Sequence, residues 1–161
     1  MEWSTVLLVA APIVAAFVAL GVIWFLWPPR RGESSLEEMT ALFRAHRPAL
    51  EKQFLSVAGA SGKPRGLRWK ECQWNELIAW VREKATGRLH ALVGVTISFE
   101  AIEGSDMEGI EAVGNLRNAT AVFFFDGAWQ TAGRVVFNLN PDEAVLHFKD
   151  GYERVDVNTS A

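Results

Sequence analysis

The run Val6–Trp27, 22 residues without a charge and closed by Pro28-Pro29-Arg30-Arg31, constrains this chain more than any other feature. As a helix it would extend about 33 Å at roughly 1.5 Å per residue, close to the ~30 Å hydrocarbon thickness of a bilayer. A secretory signal would instead show a basic start, about 7 to 15 apolar residues and a small-residue cleavage site. Here Met1–Thr5 holds no Lys or Arg, the apolar run is longer, and its exit, Phe25-Leu26-Trp27, is bulky. Trp3 at one end and Trp24 and Trp27 at the other stand where indoles settle at the two headgroup levels. The run therefore predicts a single-pass anchor that stays in the mature protein, with the lipid bilayer as partner of residues 6–27. Pro12 falls in its second turn, a defect that membrane helices tolerate.

Orientation follows from charge. No Lys or Arg precedes the span, and Arg30 and Arg31 follow it at once, which places the downstream domain in the cytoplasm by the positive-inside rule. Two boundary arginines set only a modest bias, and an extracytoplasmic domain is the alternative. The predicted organisation is a membrane anchor and tether over residues 1–31, a soluble α+β domain over 32–157, and a disordered tail over 158–161.

Without residues 1–31, which carry Glu2, Arg30 and Arg31, 14 basic and 18 acidic residues remain, a net charge of −4. That balance argues against nucleic acid as a partner and against a polybasic grip on anionic lipid. The single cysteine, Cys72, excludes an internal disulfide and a thiolate metal cluster, and beside Glu71 it reads as an inert, buried thiol.

Along the domain, Ser35-Leu36-Glu37-Glu38 has the form of a capping box. The apolar positions Leu36, Met39, Phe43, Leu50, Phe54 and Val57 follow at helical spacing, with His46 completing the stripe. Pro48 predicts a kink or two helices meeting near residues 46–48, and Gly59 a C-terminal cap. From Leu67 the period changes to two. Short runs at Leu67–Lys70 and Leu77–Val81 precede the clearest strand, Leu89–Glu100, with Leu89, Ala91, Val93, Val95, Ile97 and Phe99 on one face. Glu103–Asn115, acidic and glycine-rich, reads as a loop. Ala119–Phe125 and Trp129–Leu139 flank Asp126-Gly127, a two-residue hairpin signal, and Asn140-Pro141-Asp142 turns the chain into a last strand, Ala144–Phe148.

The prediction is thus an α+β domain in which one kinked helix packs on a curved antiparallel sheet of about five strands. The element order is similar to that of cystatin-like and NTF2-like folds. Such folds host binding modules, assembly subunits and enzymes alike, so the similarity implies no particular activity.

No nucleophile motif, phosphate loop, dinucleotide fingerprint or zinc motif occurs, so no catalytic residue, cofactor or metal ligand is assigned. His46, His90 and His147 lack ligand-spaced partners, and the acidic run Glu100–Glu111 lacks the order of a calcium loop. Aromatic residues carry more information. A two-residue turn at Asp126-Gly127 would set Phe124 beside Trp129 in the core under the helix, and turn Phe123, Phe125 and Gln130 outward as a partner surface. A bulged turn would exchange Phe123 and Phe124. The expected function is a membrane-anchored interaction or assembly module, binding another membrane-associated protein or a second copy of itself. The alternative is a small-ligand or lipid-binding domain with a pocket rimmed by Trp69, Trp80 and His90.

Overall fold

The computed structural model describes residues 35–61 and 64–157. The anchor and tether, the bounding residues Val6 and Trp27 included, and the tail 158–161 lie outside the described residues. Among those described, no helix is long and apolar enough to cross a membrane.

Helix α1, Leu36–Ala60, begins where Ser35 Oγ accepts the N–H of Glu38 at 3.1 Å. It buries Thr40, Phe43, Leu50, Phe54 and Ala58. The expected interruption at Pro48 is absent: the helix is continuous over 25 residues. Proline deprives only the Arg44 carbonyl of its donor, and Arg44 is exposed, so water can take that place. Leu50 and Phe54, buried just beyond, hold the second half of the helix to the core. The helix also passes through Gly59, and the N–H of Ser61 closes it on the carbonyls of Val57 and Ala58.

Strand β1, Leu67–Glu83, joins the two short runs into 17 residues. Two irregularities against β2 (Leu89–Ala101) hid this continuity: an extra residue at Lys70, and Asn75–Leu77 set against Gly94 alone. The Asn75 side chain occupies the space above Gly94, where a Cβ would stand 2.2 Å from Asn75 Oδ1. Glycine is therefore favoured there by close approach rather than by φ, since a Cβ would force the Asn75 carboxamide to move. Arg47 secures the bulge from α1, donating to the Asn75 carbonyl at 2.6 Å and to Glu76 at 3.0 Å.

A short 3₁₀ helix, Glu111–Gly114, interrupts the acidic loop and buries Val113. Strand β3, Arg117–Phe125, then pairs with β2. The hairpin after it has a three-residue loop, Asp126–Ala128, with Phe125 opposite Trp129 and Phe124 opposite Gln130. Relative to the expected turn, this one-residue difference exchanges the faces of the β3 side chains and brings Phe123 and Phe125 to the α1 side with Trp129. The return is broken into β4 (Trp129–Gln130) and β5 (Val135–Phe137), both paired with β3. Gly133 lies in the break at φ +67°, and a Cβ there would meet Ala58 N at 2.7 Å, so α1 presses on the backbone at that point.

The expected last strand is a helix, α2, Pro141–His147. Asn140 accepts the Glu143 N–H at 2.9 Å while the Glu143 carboxylate accepts the Asn140 N–H at 2.8 Å, and Pro141 stands in the first turn. Strand β6, Tyr152–Arg154, pairs with Val81–Glu83. The result is an α+β domain with a six-stranded sheet in the order β4-β3-β2-β1-β6, β5 also pairing with β3, antiparallel at each of these pairings. Helix α1 covers one face over a core containing Phe43, Phe54, Phe99 and Phe123. Helix α2 covers part of the other over Ala79, Val81, Leu92, Val122 and Tyr152. Two helices on opposite faces, rather than one, absorb the aromatic surplus and bury β2 from both sides.

Candidate functional site

The three residues expected to rim a common pocket do not meet. Trp80 is buried under α1, edge-on to Phe43 at 5.4 Å and 5.7 Å from the Trp129 ring. Trp69 packs at the other end of β1 against Phe54 and Phe99. His90 lies on the opposite face, 5.3 Å from the Tyr152 ring and 6.1 Å from that of Phe124. Alternation explains the separation, since Trp80 pairs with Ala91 and places His90 on the reverse side.

The proposed partner surface divides in the same way. Phe123 is fully buried, with Phe43, Phe54 and Trp74 around its ring at 5.4, 5.7 and 6.0 Å. It is a core residue, not a surface one. Phe125 shares its face, and Gln130 lies exposed on the other. Of the three, Phe125 does line a depression. A half-open groove of about 400 Å³ runs between α1 (Leu42, His46, Ala49, Leu50, Gln53) and the hairpin (Phe125, Gly127, Ala128, Trp129). Trp129 Nε1 donates to the Met39 carbonyl at 2.7 Å, fixing the hairpin against the helix so that the groove is preformed. His46 Nδ1–H donates to the Leu42 carbonyl at 2.9 Å, which leaves Nε2 as the ring's second polar atom.

A second groove, of about 560 Å³, lies on the other side of α1. Leu55 and Gly59 form its helix wall, Leu67–Cys72 of β1 its floor, and Ile102 its end. Burial, and then the Glu51 carboxylate, push the Cys72 thiol up to about 12, so it stays protonated and unreactive. A third depression, of about 390 Å³, collects Arg44, Arg47 and Arg154 with Glu76 and Asp156. Arg47 is already paired with Glu51 and Glu76, and Arg154 with Asp142, so its charges are largely cancelled.

On the α2 side, both ring nitrogens of His90 are buried without a hydrogen-bond partner, and Glu83 Oε2 stands 3.8 Å from Nε2. Burial holds this histidine below its ordinary pKa; Glu83 opposes the shift, and Arg88 and Arg134 add to it. Among the described residues no three His, Cys, Asp or Glu side chains converge as a metal site would require.

No known family model matches the chain, and comparison with curated proteins and with solved structures found no match. The reading of this site therefore rests on its own geometry. Of the helix walls, Leu42, Ala49, Gln53 and Leu55 were not singled out from sequence, and Gly59 was read only as a helix cap. Exposed Leu42, outside the buried stripe, was the available signal for the first.

Proposed function

We propose that this chain is a membrane-anchored protein-interaction module, held in the bilayer by residues 6–27, with its domain on the cytoplasmic side and no catalytic role. The observation that carries the reading is the preformed apolar groove between α1 and the hairpin. Its lining is aliphatic and aromatic, with Gln53 and His46 as the polar exceptions, which suits an apolar anchor side chain of a partner.

A photo-crosslinking amino acid at position 125 in the full chain in its own membranes tests the proposal. A discrete protein adduct is expected from position 125 and none from position 130 on the reverse face. Equal labelling from both positions, or none from either, would remove the groove as the binding surface. Retention of the chain in the pellet after carbonate extraction tests the anchor, and a cytoplasm-dependent fluorescent reporter fused after Ala161 tests the orientation.

A second reading, an apolar small molecule or acyl chain in the same groove, is favoured by its size, which falls within the usual few-hundred-Å³ range of ligand sites. Lipid rather than polypeptide adducts from position 125 would select it.

A further inference from the structure

On the α2 side of the sheet, neighbouring strands bring one histidine, one tyrosine and two arginines together. His90 pairs with Val81 of β1 and Phe124 of β3, and Tyr152 of β6 pairs with Glu83, two residues beyond Val81, so these side chains share a face. His90 is only 7% exposed and neither ring nitrogen has a hydrogen-bond partner, although Glu83 Oε2 lies 3.8 Å from Nε2. Unpaired buried polar groups are costly and rare, and a bound ion is among the usual reasons for them. Two guanidiniums stand at the surface around this ring. Arg88 lies over the Phe124 ring at 5.7 Å, and Arg134 lies over the Phe148 ring at 5.7 Å and against the Tyr152 hydroxyl. Among the described residues neither is in an ion pair, whereas Arg47, Arg68 and Arg154 are. Stacking uses the face of a guanidinium and leaves its N–H edge free, the edge that takes two oxygens of one anion.

We propose that Arg88 and Arg134, with His90 and Tyr152 beside them, bind a doubly charged oxyanion of the phosphate class, free or as a monoester headgroup. Two unpaired guanidinium charges match a dianion better than the single charge of a carboxylate. Glu83 does not fill this role, because its carboxylate accepts from the Thr86 hydroxyl, faces His90 and forms no ion pair with either arginine. Stacking on the two rings also holds both arginines in advance, which lowers the cost of ordering them on binding. His90 reports on the site. Glu83, Arg88, Arg134 and Tyr152 are the charged or titratable groups around it, and an anion on the two arginines cancels the charges that oppose its protonation. The site is on the reverse face from the apolar groove, and this proposal stands independently of the interaction-module reading.

The test uses the full-length chain in mild detergent with ring-labelled histidine, followed by NMR. The chain has three histidines, and His90→Gln assigns the signal. At neutral pH and constant ionic strength, inorganic phosphate replacing chloride should move the His90 signals saturably, with half-saturation near about 1 mM, and leave those of His46 and His147 in place. Sulfate, a dianion from about pH 5 to pH 8, should raise the His90 titration midpoint by about half a pH unit or more. Arg88→Gln or Arg134→Gln should weaken the phosphate response about fivefold or more, and the Lys variants should keep part of it, since charge remains without the fork. Both arginines are exposed, so these variants are expected to fold, and near-UV circular dichroism checks that they do. Glycerol phosphate and micellar phosphatidic acid separate the two sources: a tighter response to the lipid identifies a headgroup, and an equal one a soluble phosphate. No shift beyond that of chloride, equal movement of all three histidines, or a response that survives the double change Arg88→Gln with Arg134→Gln would overturn the proposal. The comparison of phosphate with chloride needs no variant and decides the matter on the wild-type chain.

Discussion

Truncating Phe123 should cost far more stability than truncating Phe124, its neighbour on the same strand. Phe123 has no exposed surface, and its ring lies 5.4 to 6.0 Å from those of Phe43, Phe54 and Trp74, which come from both α1 and β1. Phe123→Ala therefore empties the point where helix and sheet meet. Loss of a buried phenylalanine costs about 3 to 5 kcal/mol, and three aromatic neighbours put this site toward the upper end. For a domain of this size that is a fall of roughly 10 to 20 °C in melting temperature. Phe124 is half-buried on the reverse face, with Arg88 over its ring and His90 at 6.1 Å. Its truncation leaves a site that water can enter, and about 1 to 2 kcal/mol is expected. Near-UV circular dichroism of the full chain in detergent follows tertiary packing directly through the melt. Equal losses from the two variants, or a greater loss from Phe124→Ala, would refute the three-residue hairpin loop and the face assignment that depends on it.

Three further outcomes follow from the geometry. Because burial lowers the His90 pKa below 6.5, the unfolded chain binds more protons than the folded one below that value; stability should fall as pH drops from about 7.5 to about 5.5, with a shallower fall in His90→Asn, read from urea midpoints. Gly94→Ala forces a Cβ against the Asn75 carboxamide and should cost about 1 to 3 kcal/mol, most of it recovered when Asn75 is also changed to Gly, as a double-mutant cycle would measure. Arg47→Ala removes the donor to the Asn75 carbonyl and leaves Glu51 without its partner at 2.7 Å; a loss of about 1 to 3 kcal/mol in chemical denaturation is expected, only partly restored by Lys, which cannot reach three acceptors as a planar fork does.

The parts of this fold that were legible in sequence are those where a local pattern and the tertiary structure agree. Ser35 with Glu38 announced the start of α1, and period-two alternation gave β2 its core face. The hairpin register was not legible, because Ala128 can serve as loop or strand and only packing against α1 decides between them. Helix α2 was carried by Asn140, Pro141 and Glu143, a complete capping box that a turn reading of Asn140-Pro141-Asp142 passed over. The continuity of β1 was hidden because Asn75–Leu77 breaks the alternation, and nothing local shows that Gly94 exists to receive it. Neither groove has a sequence signature. Each is the space left where a cylinder lies across a twisted sheet; in the first the helix and hairpin walls are far apart in sequence, Leu42 from Phe125 and His46 from Gly127, and in the second they are much closer, Gly59 from Leu67.

The bulge at Asn75–Leu77 and the proline in α1 belong to one physical arrangement. Pro48 removes a backbone bond from the helix at the turn where Arg47 projects toward β1. Arg47 has only 14% of its side chain exposed and makes three bonds, to Glu51 within the helix and to Asn75 and Glu76 on the strand. A regular strand at this point would keep its carbonyls in the ladder with β2, whereas the bulge turns the Asn75 carbonyl toward the guanidinium. The same excursion folds the Asn75 side chain over Gly94 and ends the regular edge of β1 just after Trp74. Helix, strand irregularity and glycine are thus fitted to one another: the proline places Arg47, the bulge presents the carbonyl that Arg47 binds, and the missing side chain at Gly94 leaves room for the carboxamide that the bulge folds inward.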